Sequence, residues 1–233
     1  MYTNEKRKRF LSCGEAIFQR SRIMPQKLFL FDFDGVLVDS LDVYHRAVAW
    51  CLEKIGTPII KTQEEYVALF EENFYEAMAK KGVDLEAFSR ALIEYAGNVD
   101  YYEDVKPFSS VLPVLEELCG DNVLAIISSN SSQAIRKILA RFQYNGCFQE
   151  ILGSEFHLSK KIKIDHAVAT YRIGRDNTYY VGDTSGDVRE GKAAGVRTIA
   201  VTWGWHSPAT LAAARPDFLI DDPEELKKIP ELF

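Results

Sequence analysis

Four aspartates carry the chemistry open to this chain. Asp32 and Asp34 lie in LFLFDFDGVLVDS, residues 28–40, among Phe29, Leu30, Phe31 and Phe33. A carboxylate in such a run is costly unless it is paired, hydrogen-bonded or bound to a cation. In a β period both would point to one side. Asp183 and Asp187 stand four apart in VGDTSGDV, residues 181–188, where a loop starts a helix. Three or four carboxylates gathered in one place repel, and at least one stays protonated unless a cation joins them. Mg²⁺ is the natural cation, because it takes hard oxygen ligands, keeps waters and pairs with phosphate. Ser128, Ser129 and Asn130, next to a helix starting near Ser131, offer hydroxyls and amides to an anionic oxygen. Carboxylates, Mg²⁺ and an anion cradle together point to phosphoryl chemistry. Each motif alone has a plainer reading, since a DxD pair is common and GDxxxD or SSNSS suits a turn with a helix cap.

These residues need elements to bring them together. Short apolar runs at 27–33, 123–127, 148–152, 178–181, 197–201 and 217–220 read as strands buried on both faces. Amphipathic stretches at 131–143, 162–173, 186–194 and 222–228 read as helices, with one more near 110–119. This alternation predicts an α/β fold, a parallel sheet with helices on both faces. Ligands of such sheets bind outside the carboxyl ends of the strands, and the polar residues stand there. Residues 41–104 contain no strand pattern and read as helices near 41–55, 63–81 and 84–99, too long for a simple crossover. They are expected to form a second, all-helical domain inserted in a loop, with linkers near 40–42 and 103–107. The core is then 25–40 with 105–233, and 1–24 is a basic extension, disordered or preceding a true start at Met24.

DFDGVLVDS, IISSN and VGDTSGDV resemble three motifs of the haloacid dehalogenase superfamily, over about residues 27–225. The position of the insertion resembles the helical-cap branch that includes phosphoglycolate phosphatases, as does TWGWHSPATLAAARPDFLIDDPEEL near the C-terminus. The resemblance implies a Rossmann-like doubly wound core. It makes Asp32 a nucleophile that forms an aspartyl-phosphate and Asp34 the general acid and base. It places Mg²⁺ on Asp32, the Asp34 carbonyl and Asp183, with Asp187 a further or indirect ligand. Ser128 and the amides of Ser129 and Asn130 would hold the phosphoryl oxygens. A lysine is expected from HLSKKIKID, residues 157–165: Lys160 is favoured, while Lys161 or Lys163 would form a solvated face. The Lys-Pro of phosphoglycolate phosphatases is missing here, which bears on substrate more than on reaction. Asp34 argues for phosphatase or phosphomutase over dehalogenase.

The insertion would read the substrate. Tyr44, His45 and Arg46 are candidate contacts, Arg46 for a substrate carboxylate. Helical aromatics packing within the insertion and a surface arginine are the alternative. The expected activity is Mg²⁺-dependent hydrolysis of a small phosphate ester, phosphoglycolate first. A sugar phosphomutase or a non-catalytic binding protein on the same fold are the rivals. The net charge is −6, with +4 in residues 1–24, so nucleic acid is not an expected partner. No apolar run is long enough to span a membrane. Four cysteines without CxxC spacing fit a reducing, cytoplasmic location. A monomer or homodimer is expected.

Overall fold

The computed structural model describes residues 27–99, 101–144 and 146–229, so the basic extension 1–24 lies outside the described residues. Six parallel strands form one sheet: β1 (Leu28–Phe31), β4 (Val123–Ile127), β5 (Phe148–Leu152), β6 (Thr178–Gly182), β7 (Arg197–Val201) and β8 (Phe218–Ile220). Their order is β5-β4-β1-β6-β7-β8. The chain therefore leaves β1 toward one edge for β4 and β5, and returns on the other side for β6 to β8. The carboxyl end of β1 lies at the switch point, where open α/β sheets bind ligands.

The apolar pattern of β1 explains why helices cover both faces. Phe29 and Phe31 join one buried cluster with Val114 of α5 (Val111–Leu118) and Ile135 of α6 (Ser132–Arg141). Leu28 and Leu30 join another, with Ile164 and Ala167 of α7 (Lys160–Tyr171). A strand whose alternate residues are all apolar has no solvent face. Helix α8 (Ser185–Ala193) packs Val188 on Ala200 and on Leu211 of α9 (Pro208–Ala213).

Between β1 and β4 the chain forms a two-stranded ribbon of β2 (Val38–Asp39) and β3 (Lys106–Pro107). The helices that leave and re-enter through it are α1 (Leu41–Lys54), α2 (Gln63–Ala68), α3 (Phe74–Lys80) and α4 (Leu85–Asn98). The single helix expected over 63–81 is broken. A 3₁₀ turn covers Leu69–Glu71, Glu72 is extended, and Asn73 caps α3 by accepting from the amides of Tyr75 and Glu76. An N-capping side chain competes with helix continuation, which puts the break there. The apolar residues of the insertion, Leu52, Tyr66 and Phe88 among them, belong to the same cluster as Phe29 and Phe31. Cys119 and Cys147, distant in the chain, are free thiols whose sulfurs lie 2.8 Å apart. Among the described residues no helix is long and apolar enough to cross a membrane.

Candidate active site

β1 ends at Phe31, so Asp32 and Asp34 lie just past the strand, Asp34 in an isolated bridge with Val38. The Asp32 amide still donates to the Val181 carbonyl at 2.8 Å, and its Oδ1 accepts from the Phe33 amide at 2.7 Å. Asp183 follows β6, and its Oδ2 accepts from the Trp205 amide at 2.7 Å. Gly35, at φ +78°, permits this approach: a Cβ there would lie 2.0 Å from Asp183 Oδ2. One oxygen each of Asp32, Asp183 and Asp187 lies within 4.8 Å of the others, and all three residues are buried.

Of the three candidate lysines, Lys160 reaches this cluster. Its Nζ donates to Asp32 Oδ2 at 2.5 Å and to Asp187 Oδ1 at 2.6 Å. Lys161 pairs with Asp165 at 2.6 Å instead. Lys163 corrects the expectation of a solvated face: it is fully buried, and its ammonium donates to the Ser128 carbonyl. Positions three apart share a helix side, so Lys163 follows Lys160 inward. Glu190 fixes the start of α7, accepting from the amides of Lys160 at 2.7 Å and Lys161 at 3.2 Å. An acid at a helix N-terminus meets unpaired amides and the positive dipole end.

Asp187 is saturated. Its Oδ1 accepts from Lys160 and from the Tyr180 hydroxyl at 2.8 Å, and its Oδ2 from the Thr184 hydroxyl at 2.6 Å and amide at 3.1 Å. It holds Lys160 more than it offers a free ligand oxygen. Asp183 Oδ1 is the opposite, buried with no hydrogen-bond partner among the described residues. An orphaned buried carboxylate oxygen calls for a cation or a proton. Three carboxylates face one ammonium, so the cluster fits a hard divalent cation.

The titration behaviour follows from this crowding. Burial, with the Asp187 and Asp32 charges added, drives Asp183 well above the carboxylate range. Burial raises Asp32 less, to about 7, because Lys160 opposes it. Burial would also raise Asp187, but the Lys160 ammonium and the hydrogen bonds hold it below its ordinary value. Lys160 would be lowered by burial, yet Asp187 and Asp32 keep it above the usual lysine range. Asp34 is half-buried, and desolvation lifts it to about 6 against hydrogen bonds from Ser40 at 2.8 Å and Asn130 at 3.4 Å.

A cavity of about 580 Å³ opens over these groups, lined by Asp32, Asp34, Ser128, Ser129, Asn130, Lys160 and Asp183. Tyr44 lines it too, with its hydroxyl on the Asn130 amide. His45 and Arg46 are absent from the lining, which corrects their assignment as substrate contacts. Tyr44 and Val48, four apart, share the inner side of α1. The next two positions rotate away: His45 packs on Tyr66 at 5.7 Å, and exposed Arg46 pairs with Asp104 at 2.9 Å. The groups that seat the insertion on the core carry little signal in the sequence. Asn73 donates to the Leu158 carbonyl at 3.0 Å and to Glu190 at 3.3 Å, and the Tyr75 hydroxyl donates to the Ser129 carbonyl at 2.7 Å. The capping preference of Asn73 was the available signal; its tertiary partners left none.

Residues 29–201 match the family model of haloacid dehalogenase-like hydrolases. The chain belongs to that family. A phosphoglycolate phosphatase of Synechococcus elongatus is 29% identical over 199 residues, 84% of this chain and 93% of the relative. One from Aquifex aeolicus is 28% identical, over 87% of this chain and 96% of the relative. A solved haloacid dehalogenase-like family hydrolase from Streptococcus pneumoniae aligns with a TM-score of 0.69 at 22% identity, covering 89% of this chain and 99% of that one. That likeness speaks to the fold, the same α/β core.

Proposed function

We propose that this family member is a Mg²⁺-dependent phosphomonoester hydrolase working through an aspartyl-phosphate on Asp32. One observation carries the reading: Asp32, Asp183 and Lys160 converge with Ser128 on a single cavity, and one buried oxygen of Asp183 is without a partner. Asp32 and Asp183, with the Asp34 carbonyl, would hold the ion, which when bound offsets the negative charge around the phosphoryl group. Lys160 and Ser128 would bind the phosphoryl oxygens. Asp32 attacks phosphorus, the bond from phosphorus to the ester oxygen breaks, and Asp34 gives its proton to the departing alkoxide. Asp34, now a carboxylate, takes a proton from water as that water attacks the aspartyl-phosphate. Inorganic phosphate leaves and Asp32 is restored. A pKa near 6 suits both halves of the Asp34 role.

The insertion acts as a cap in this reading, seated on the core through Asn73 and Tyr75 and excluding water during transfer. Phosphoglycolate is the first ester to assay, because the Synechococcus and Aquifex relatives carry that name. The test is release of phosphate from a panel of esters with and without Mg²⁺, in the natural chain and in Asp32→Asn. Turnover that needs Mg²⁺ and vanishes in Asp32→Asn is expected; turnover surviving the substitution rejects the covalent route. Isomer exchange among sugar phosphates without phosphate release would assign a mutase instead.

A further inference from the structure

The wall that the insertion gives the cavity is aromatic and apolar. Tyr66, Phe70, Phe74, Phe88 and Leu92 line it, and among the described residues no lysine or arginine of the insertion does. Phe70 stacks on Phe74 with centroids 4.9 Å apart, and both meet Tyr66 edge-on, at 5.2 and 6.4 Å. Tyr66 is buried, and its hydroxyl makes no hydrogen bond among the described residues although the phenol lines the cavity beside Asp34. Beyond the phosphoryl site, the cationic group on the lining is Lys137 of α6, on the exposed side, with its Nζ 5.5 Å from the Tyr102 ring. The volume, about 580 Å³, falls among pockets that enclose drug-sized ligands, roughly 300–1,000 Å³. A phosphoryl group carrying two carbons and a carboxylate would leave most of it unfilled, with the rings of the insertion uncovered. Resting on the hydrolase reading above, we infer that the ester cleaved here is a phosphate monoester of an aromatic alcohol, its ring against Phe70 and Phe74 and the Tyr66 hydroxyl its nearest polar contact in the wall.

The energetic consequence is a chain-length effect. Each methylene moved from water into an apolar wall contributes about a fourfold gain. A benzyl group adds five carbons to an ethyl group, so even partial burial yields at least about a tenfold preference.

The experiment compares kcat/KM for benzyl phosphate, ethyl phosphate and phosphoglycolate with Mg²⁺ present. Benzyl phosphate is expected to exceed each of the others at least tenfold. Any smaller ratio, or phosphoglycolate as the better substrate, overturns the inference. Leu92→Glu is expected to cut the benzyl-to-ethyl ratio at least fivefold, and Tyr66→Phe provides a variant of unchanged shape should Leu92→Glu fail to fold. Tyr66→Phe is expected to raise KM for 4-hydroxybenzyl phosphate more than for benzyl phosphate; equal effects remove Tyr66 from substrate recognition. Calorimetry of benzylphosphonate against phosphonoacetate separates this inference from the reading beneath it. Tenfold tighter binding of benzylphosphonate without hydrolysis of any ester keeps the aromatic ring site and rejects cleavage of an ester there. No selectivity alongside Mg²⁺-dependent hydrolysis keeps the hydrolase and rejects the inference.

Discussion

Replacing Gly35 by alanine tests whether the site depends on one close approach. Two costs arise. The left-handed backbone at φ +78° disfavours an L side chain by about 1–2 kcal/mol. The added Cβ would also lie 2.0 Å from Asp183 Oδ2, and ordinary contact begins at 3.4 Å. Asp183 must therefore retreat by more than about 1 Å, against an overpacked neighbourhood that costs about 1–3 kcal/mol more. Gly56 supplies the control, because it has φ +77° with nothing within 4 Å of its Cβ position. Gly56→Ala is expected to lose about 1–2 kcal/mol and keep full turnover. Gly35→Ala is expected to lose about 2–5 kcal/mol, and its turnover should fall about 100-fold, the scale of a 1 Å misplacement. Urea denaturation gives the stabilities, and Mg²⁺-supported hydrolysis of p-nitrophenyl phosphate gives the activity. Equal destabilisation in both variants with undiminished turnover in Gly35→Ala would refute the claim that this glycine makes room for Asp183.

Lys160→Met removes the ammonium shared by Asp32 and Asp187 and leaves buried carboxylates unpaired, so a loss of about 3–5 kcal/mol is expected in denaturation, with turnover reduced at least about 100-fold. Lys161→Met breaks only the solvent-screened pair with Asp165 and should stay within about 1 kcal/mol of the natural chain, with unchanged turnover. Asn73→Ala loses the α3 cap, about 1 kcal/mol, and the tie to Leu158 and Glu190; KM measured on the best ester should rise more than kcat falls. Lys163 links stability to pH: burial first and the Lys160 charge second push it from 10.5 down to about 7, so the unfolded chain binds more protons between those values. Stability should therefore rise from about pH 7 toward 10.5, and a pH series of urea midpoints should show a smaller rise in Lys163→Met.

Much of the fold was legible because its signals are local. The runs at 123–127, 148–152 and 197–201 match β4, β5 and β7 residue for residue. A strand with both faces covered is apolar throughout, as VLAII of β4 is, while β5 at the sheet edge keeps Gln149 and Glu150 partly in solvent. Helix α9 is short and carries one local signal, Ser207 as a cap followed by proline at the first helical position. The break at Glu72 was harder to see, since Phe74 to Met78 continues the helical pattern and only the Asn73 cap marks a new start. Arg46 takes the surface place for a geometric reason: Tyr44, two positions before it, faces inward, and two helical positions turn a side chain by about 200°.

The sequence by itself determined which residues can do chemistry and at which strand ends they stand, because a carboxylate among apolar strand residues is tolerated only where something compensates it. Tertiary structure decided the partners. Lys160 lies 128 positions from Asp32 yet 2.5 Å from its carboxylate, and Asp187 is turned from an open ligand into a saturated brace for that lysine. The lining of the cavity was decided there too, since Tyr66 and Phe70 look like ordinary core aromatics until α1 to α4 are seated over the carboxyl ends of the sheet. Burial and hydrogen bonding depend on atoms distant in sequence, and a pattern read along the chain does not contain those distances.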